Sequence, residues 1–118
     1  MKALQLAAAG LLSTAIQAGD NPVAGKWSCT NIPVNGPEAP WTLIVRDQGA
    51  QLSGILTDGE AEVALSGMKI TGKAFTFRFF INGKPYGFEG TLDNEKLVGK
   101  YSGQEASGRL KCSRPVQE

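Results

Sequence analysis

The stretch Ala74-Phe75-Thr76-Phe77-Arg78-Phe79-Phe80-Ile81-Asn82-Gly83-Lys84-Pro85-Tyr86-Gly87-Phe88-Glu89-Gly90 decides how this chain folds. Phe75, Phe77, Phe79 and Ile81 alternate with Ala74, Thr76, Arg78 and Phe80, the period of two that makes one face of a β-strand apolar. Tyr86, Phe88 and Gly90 continue the alternation beyond Asn82-Gly83, a dipeptide that tolerates positive φ and suits a two-residue hairpin turn. Such a turn sets Ile81 opposite Lys84, Phe79 opposite Tyr86 and Phe77 opposite Phe88. A slip of one residue would carry every large side chain to the other face, so turn chemistry and alternation predict one and the same hairpin.

The pattern extends in both directions. After residue 20 no window keeps a 3.6-residue period, and turn dipeptides recur at strand-length intervals. A two-residue turn at Asp58-Gly59 predicts Leu56 opposite Ala61, Gly54 opposite Val63 and Leu52 opposite Leu65. A four-residue loop over 93–96 predicts Leu92 opposite Leu97, Gly90 opposite Gly99 and Phe88 opposite Tyr101. Trp27 and Cys29 share the inward face of the first strand, Trp41, Leu43 and Val45 that of the second, and Gly108, Leu110 and Cys112 that of the last. Inward parity changes between Leu65 and Met68, which predicts a β-bulge with Gly67 as the extra residue. The expected fold class is all-β, an antiparallel up-and-down meander of about eight strands closing into a small barrel; an open sandwich of two sheets is the alternative. Closure makes the first and last strands neighbours and brings Cys29 to Cys112. That disulfide would close a loop of roughly 80 residues, worth about 4 kcal/mol on a loop-entropy argument.

Residues 1–18 read as a signal peptide: one positive charge at Lys2, an apolar run over 3–12, then small residues up to Ala18. Cleavage is expected after Ala18, with Ala15 the second choice, and an N-terminal core helix is the alternative reading. Residues 19–118 then form a single β-barrel domain, secreted or periplasmic, with no membrane anchor. Of 12 basic and 11 acidic residues the leader carries one basic and none acidic, so the domain after it is formally neutral. It therefore lacks the overall positive field that nucleic acid or anionic lipid requires.

The chain has no histidine, which removes the usual general base and the commonest metal ligand. With both cysteines bonded, no thiol nucleophile remains. Asp58 with Glu60 and Asp93 with Glu95 fall at turns, where Asp serves the backbone. The sequence thus offers no catalytic residue, no metal set and no cofactor, and a non-enzymatic binding domain is expected. Its candidate ligand-binding residues are the aromatics Trp27, Trp41, Phe79, Tyr86 and Tyr101, which either fill the barrel or line a cup at one mouth. The expected partner is a small apolar ligand or a secreted protein. The proline-rich segment 31–40 is either a lid or binding loop or a stiff connection. Ile44, Ile55 and Phe80 fall on the outward parity, compatible with a monomer or a weak dimer.

Gly25-Lys26-Trp27 on the first strand and the repeated Leu-x-Gly steps (Leu52-Ser53-Gly54, Leu65-Ser66-Gly67, Leu97-Val98-Gly99) resemble lipocalin and streptavidin-type, that is calycin-type, barrels. They are closer still to small secreted bacterial domains built on the same meander, and the likeness spans residues 23–113. It implies an up-and-down barrel. The biotin-contacting polar set of the avidins has no counterpart here and the chain is much shorter than a lipocalin, so neither family's ligand is implied. Ala24-Gly25-Lys26-Trp27 is also similar to the opening of periplasmic protease-inhibitor barrels, which implies a protease inhibitor whose segment 19–23 enters a protease cleft.

Overall fold

A computed structural model describes residues 21–49 and 51–114; the predicted signal peptide and its cleavage site lie outside them. The described chain is all-β. Its strands are β1 (Gly25–Pro33), β2 (Ala39–Asp47), β3 (Leu52–Thr57), β4 (Glu62–Thr71), β5 (Ala74–Ile81), β6 (Lys84–Asp93), β7 (Lys96–Gly103) and β8 (Ser107–Ser113). They run antiparallel in chain order around a closed barrel, and β8 pairs with β1. No described helix is long and apolar enough to cross a membrane.

The Asn82-Gly83 hairpin has the predicted register, with Ile81, Phe79 and Phe77 opposite Lys84, Tyr86 and Phe88. Positive φ at both turn residues, 54° at Asn82 and 77° at Gly83, explains why this dipeptide occupies the turn. Leu92 faces Leu97 and Gly90 faces Gly99 as expected, but Asp93 also pairs with Lys96. The turn there is therefore Asn94-Glu95 alone, with Asn94 at φ 58°. Gly67, at φ 59°, forms the bulge: Ser66 pairs with Arg78 and Lys69 with Thr76, leaving two residues of β4 against one of β5.

The β3–β4 hairpin departs from expectation. Leu56 faces Val63 and Gly54 faces Leu65, two residues away from the predicted pairing, and Ala61 lies in the loop. The cause is the Asp58 side chain. Its carboxylate accepts the backbone N–H of Glu60 (2.9 Å) and of Ala61 (2.8 Å), while Thr57 Oγ1 donates to the Ala61 carbonyl (2.7 Å). These bonds hold 58–61 as a four-residue loop. A shift of two preserves parity, so the inward faces are unchanged. The segment 31–40 also shrinks: Asn31, Ile32 and Pro33 pair with β8, Ala39 and Pro40 with β1, and only 34–38 remain a loop.

Cys29 lies directly opposite Cys112 across β1 and β8, and the two are disulfide-bonded over a sequence separation of 83. The bond joins strands already laddered together, so its main effect is to restrict the unfolded chain. The double variant Cys29→Ala/Cys112→Ala should retain the fold and lose about 3–5 kcal/mol in urea unfolding. An unchanged midpoint would show that the ladder alone sets closure. The Asp58 carboxyl is held below its ordinary 3.8 by the Ala61 and then the Glu60 backbone N–H. A folded pKa below the unfolded one gives stability that is present above the unfolded value and lost as pH falls through the folded one. The Glu60 and Ala61 amide resonances should titrate with a midpoint under 3.8; a midpoint at or above it would contradict the loop geometry.

Candidate functional site

The direction of each strand sorts the aromatics between two ends of the barrel. β1 begins at the same end as β2 finishes, so Trp27, third in β1, lies nearer one end, and Trp41, which pairs with Cys29 two positions further along, lies nearer the other. Phe79, late in β5, Tyr86, early in β6, and Tyr101, late in β7, share the end of Trp41.

The Trp27 end is closed. Its indole is fully buried, and Nε1 donates to the carbonyl of Val23 (2.9 Å), itself fully buried. The Arg114 guanidinium lies 4.2 Å from the Trp27 ring centroid. From there Nε reaches Glu95 Oε1 (2.6 Å), and the two Nη atoms donate to the carbonyls of Ala24 and Pro22. One planar group thus ties the chain ahead of β1, the indole beneath it and the β6–β7 turn. A fork of donors over an aromatic face is work for arginine rather than lysine. Phe75 and Leu97, both fully buried, complete the plug. Trp27 is therefore not among the residues around the mouth cavity: the strand that carries it starts at the sealed end.

The other end is a mouth. Directly opposed rings build its wall, Phe77 stacked on Phe88 at 4.6 Å and Phe79 on Tyr86 at 5.3 Å, with Tyr101 edge-on to Phe79 at 6.4 Å. Trp41, Phe79, Ile81, Val63 and Tyr101 surround a cavity of about 80 Å³, floored by Phe77 and Phe88. Tyr86 backs Phe79 without reaching the cavity itself. Ile81 keeps inward parity yet is 40% exposed, because it stands at the rim. The cavity's one polar pair is the Tyr101 hydroxyl donating to Asn31 Oδ1 (2.8 Å), across 70 residues of sequence. Burial pushes the Tyr101 phenol above its ordinary 10, so it remains a neutral donor at physiological pH.

Sequence reasoning missed Asn31, Val63 and Ile81 as cavity residues, and Arg114 altogether. Position within each strand is the signal that locates the first three: all lie near the strand ends that meet at the mouth. Nothing in the alternation points to Arg114, just past the last strand. The volume answers whether the interior is filled or cupped. Most of its length is filled, and the mouth has space for a few carbon atoms where a whole drug-sized ligand needs roughly 300 Å³ or more. No family model matches this chain, and no curated protein matches it.

Removing the Arg114 fork uncovers Trp27 and leaves two carbonyls without their donor. Arg114→Ala should cost about 2–4 kcal/mol in chemical denaturation, and Arg114→Lys should recover only a minor part. A loss below about 0.5 kcal/mol would place Arg114 among ordinary surface ion pairs.

Proposed function

We propose that this chain is an exported, non-enzymatic binding domain that takes the apolar end group of a small uncharged molecule into its mouth. The observation that carries this reading is the open cavity of about 80 Å³ between Trp41, Phe79, Ile81 and Tyr101. An apolar wall with one oriented polar pair is the usual composition of a small-molecule site. Asn31 engages its carbonyl oxygen with Tyr101, which leaves its amide hydrogens to meet an acceptor on the ligand. Apart from the neutral Tyr101 phenol the lining has no ionisable side chain, so a charged end group would be desolvated there without a partner. Export rests on the leader-like residues 1–18, and intact-mass measurement of protein recovered outside the cytoplasm should find a chain beginning at Gly19.

The uncharged apolar dye N-phenyl-1-naphthylamine tests the mouth. Its emission should rise saturably on binding, Val63→Phe should weaken it about tenfold by filling the cavity, and Tyr101→Phe about two- to fivefold. Absence of a saturable rise, or unaltered binding by Val63→Phe, would remove the proposal. A second reading, a protein-binding module or protease inhibitor, finds support in Val34, 69% exposed on the loop after β1. The N-terminal route for it has less to offer, since Val23 is fully buried and Pro22 and Ala24 are tied to Arg114.

A further inference from the structure

Gly87 is the described glycine whose presence the fold does not explain. Elsewhere a glycine either has positive φ, as at Gly67, or leaves no space for a Cβ, as at Gly90, Gly103 and Gly108. A Cβ on Gly87 would meet nothing within 4 Å, and its φ is not positive. The residue lies inside β6, in unbroken register with Arg78 on one side and Ser102 on the other. Glycine within a strand weakens it, and outside a bulge or sharp bend it marks a place where something approaches the backbone closely.

What Gly87 opens onto is an outer groove of about 800 Å³ crossing β5 to β8. Gly87, Ser102 and Ser107 form one row across its floor, each the direct partner of the next. The adjacent row runs Thr76, Glu89, Lys100, Arg109. Arg78 bounds the groove at β5, its guanidinium leaning over the Gly67 backbone. Among the described residues, Arg78, Lys100 and Arg109 are in no ion pair. Three cations against Glu89 select an anionic ligand. The floor hydroxyls, with the Glu89 carboxylate as acceptor, match a ligand that itself carries many hydroxyl groups. A peptide has less to gain, because a closed barrel has no strand edge for its amides to pair with.

We propose that this groove binds an acidic oligosaccharide, its carboxylates on Arg109, Lys100 and Arg78 and its ring hydroxyls on Glu89, Ser102 and Ser107, with Gly87 leaving room for the sugar ring. The inference stands apart from the mouth, which opens inside the barrel. Titration with a short oligogalacturonate, followed by calorimetry and amide chemical shifts, tests it. Binding should appear in the micromolar-to-millimolar range and weaken at least about fivefold between roughly 0.02 and 0.2 M salt. Gly87→Val fills the groove with a strand-favouring side chain, so it should fold normally and bind about tenfold more weakly. Lys100→Gln/Arg109→Gln should do the same by removing charge, and neither variant should alter binding of N-phenyl-1-naphthylamine at the mouth. No oligogalacturonate binding, equal affinity for an uncharged galactose oligomer, tighter binding of oligoglutamate, or wild-type affinity in folded Gly87→Val would each overturn the proposal.

Discussion

Everything in this molecule depends on the ladder between β1 and β8. An eight-stranded meander that failed to meet itself would leave two raw edges and an apolar face open to water. The run of pairs from Ser28 with Ser113 to Pro33 with Gly108 removes both edges and turns one face of the sheet into an interior. The disulfide sits within that ladder, so covalent and hydrogen-bonded closure coincide. Closure also demands tight curvature, and the interior is fitted to it locally. The Phe88 ring lies against Gly90 and its partner Gly99, where a Cβ would stand 2.7 and 2.6 Å from the ring.

The two ends of this interior have opposite characters, and the difference originates outside the strands. At one end the chain before β1 folds across the opening, and Arg114 clamps it against Trp27. At the other, the connections are turns and loops of two to five residues. Plug and mouth thus follow from where two short non-strand segments lie, while the strands between them supply a nearly solid column of Phe, Leu and Val.

How much of this was legible in the sequence varied with the range of the interaction. The Asn82-Gly83 hairpin could be read residue by residue, because turn type and alternation constrain one register. At Asp58-Gly59 the same reasoning erred by two residues, because a carboxylate that bonds to two backbone amides makes a longer loop than the dipeptide suggests. Parity survived the error, so the core residues were still identified. The bulge at Gly67 was visible as a change of phase. Among the proposed ligand-binding residues, Trp41, Phe79 and Tyr101 meet around the cavity, Tyr86 stands behind them, and Trp27 lies at the sealed end. Alternation reports which face a side chain takes; height along the barrel has to come from strand direction. The Tyr101 to Asn31 bond and the Arg114 clamp link residues far apart in sequence, and no local pattern encodes either.

The clamp on Pro22 and Ala24 also fixes where the described chain enters and leaves the barrel. Both points lie on one pole, held together by the Arg114 side chain, and the mouth opens at the opposite pole. A linker from the residues near Arg114 to those near Pro22 would need to span only a short gap, and a new break could then be made in the 34–38 loop. The barrel is in this sense a ring with a movable seam: a circular permutant opened at the mouth would keep every strand neighbour it has now. By the same geometry, cargo fused at the clamped pole, or a surface to which that pole is tethered, would leave the mouth facing outward.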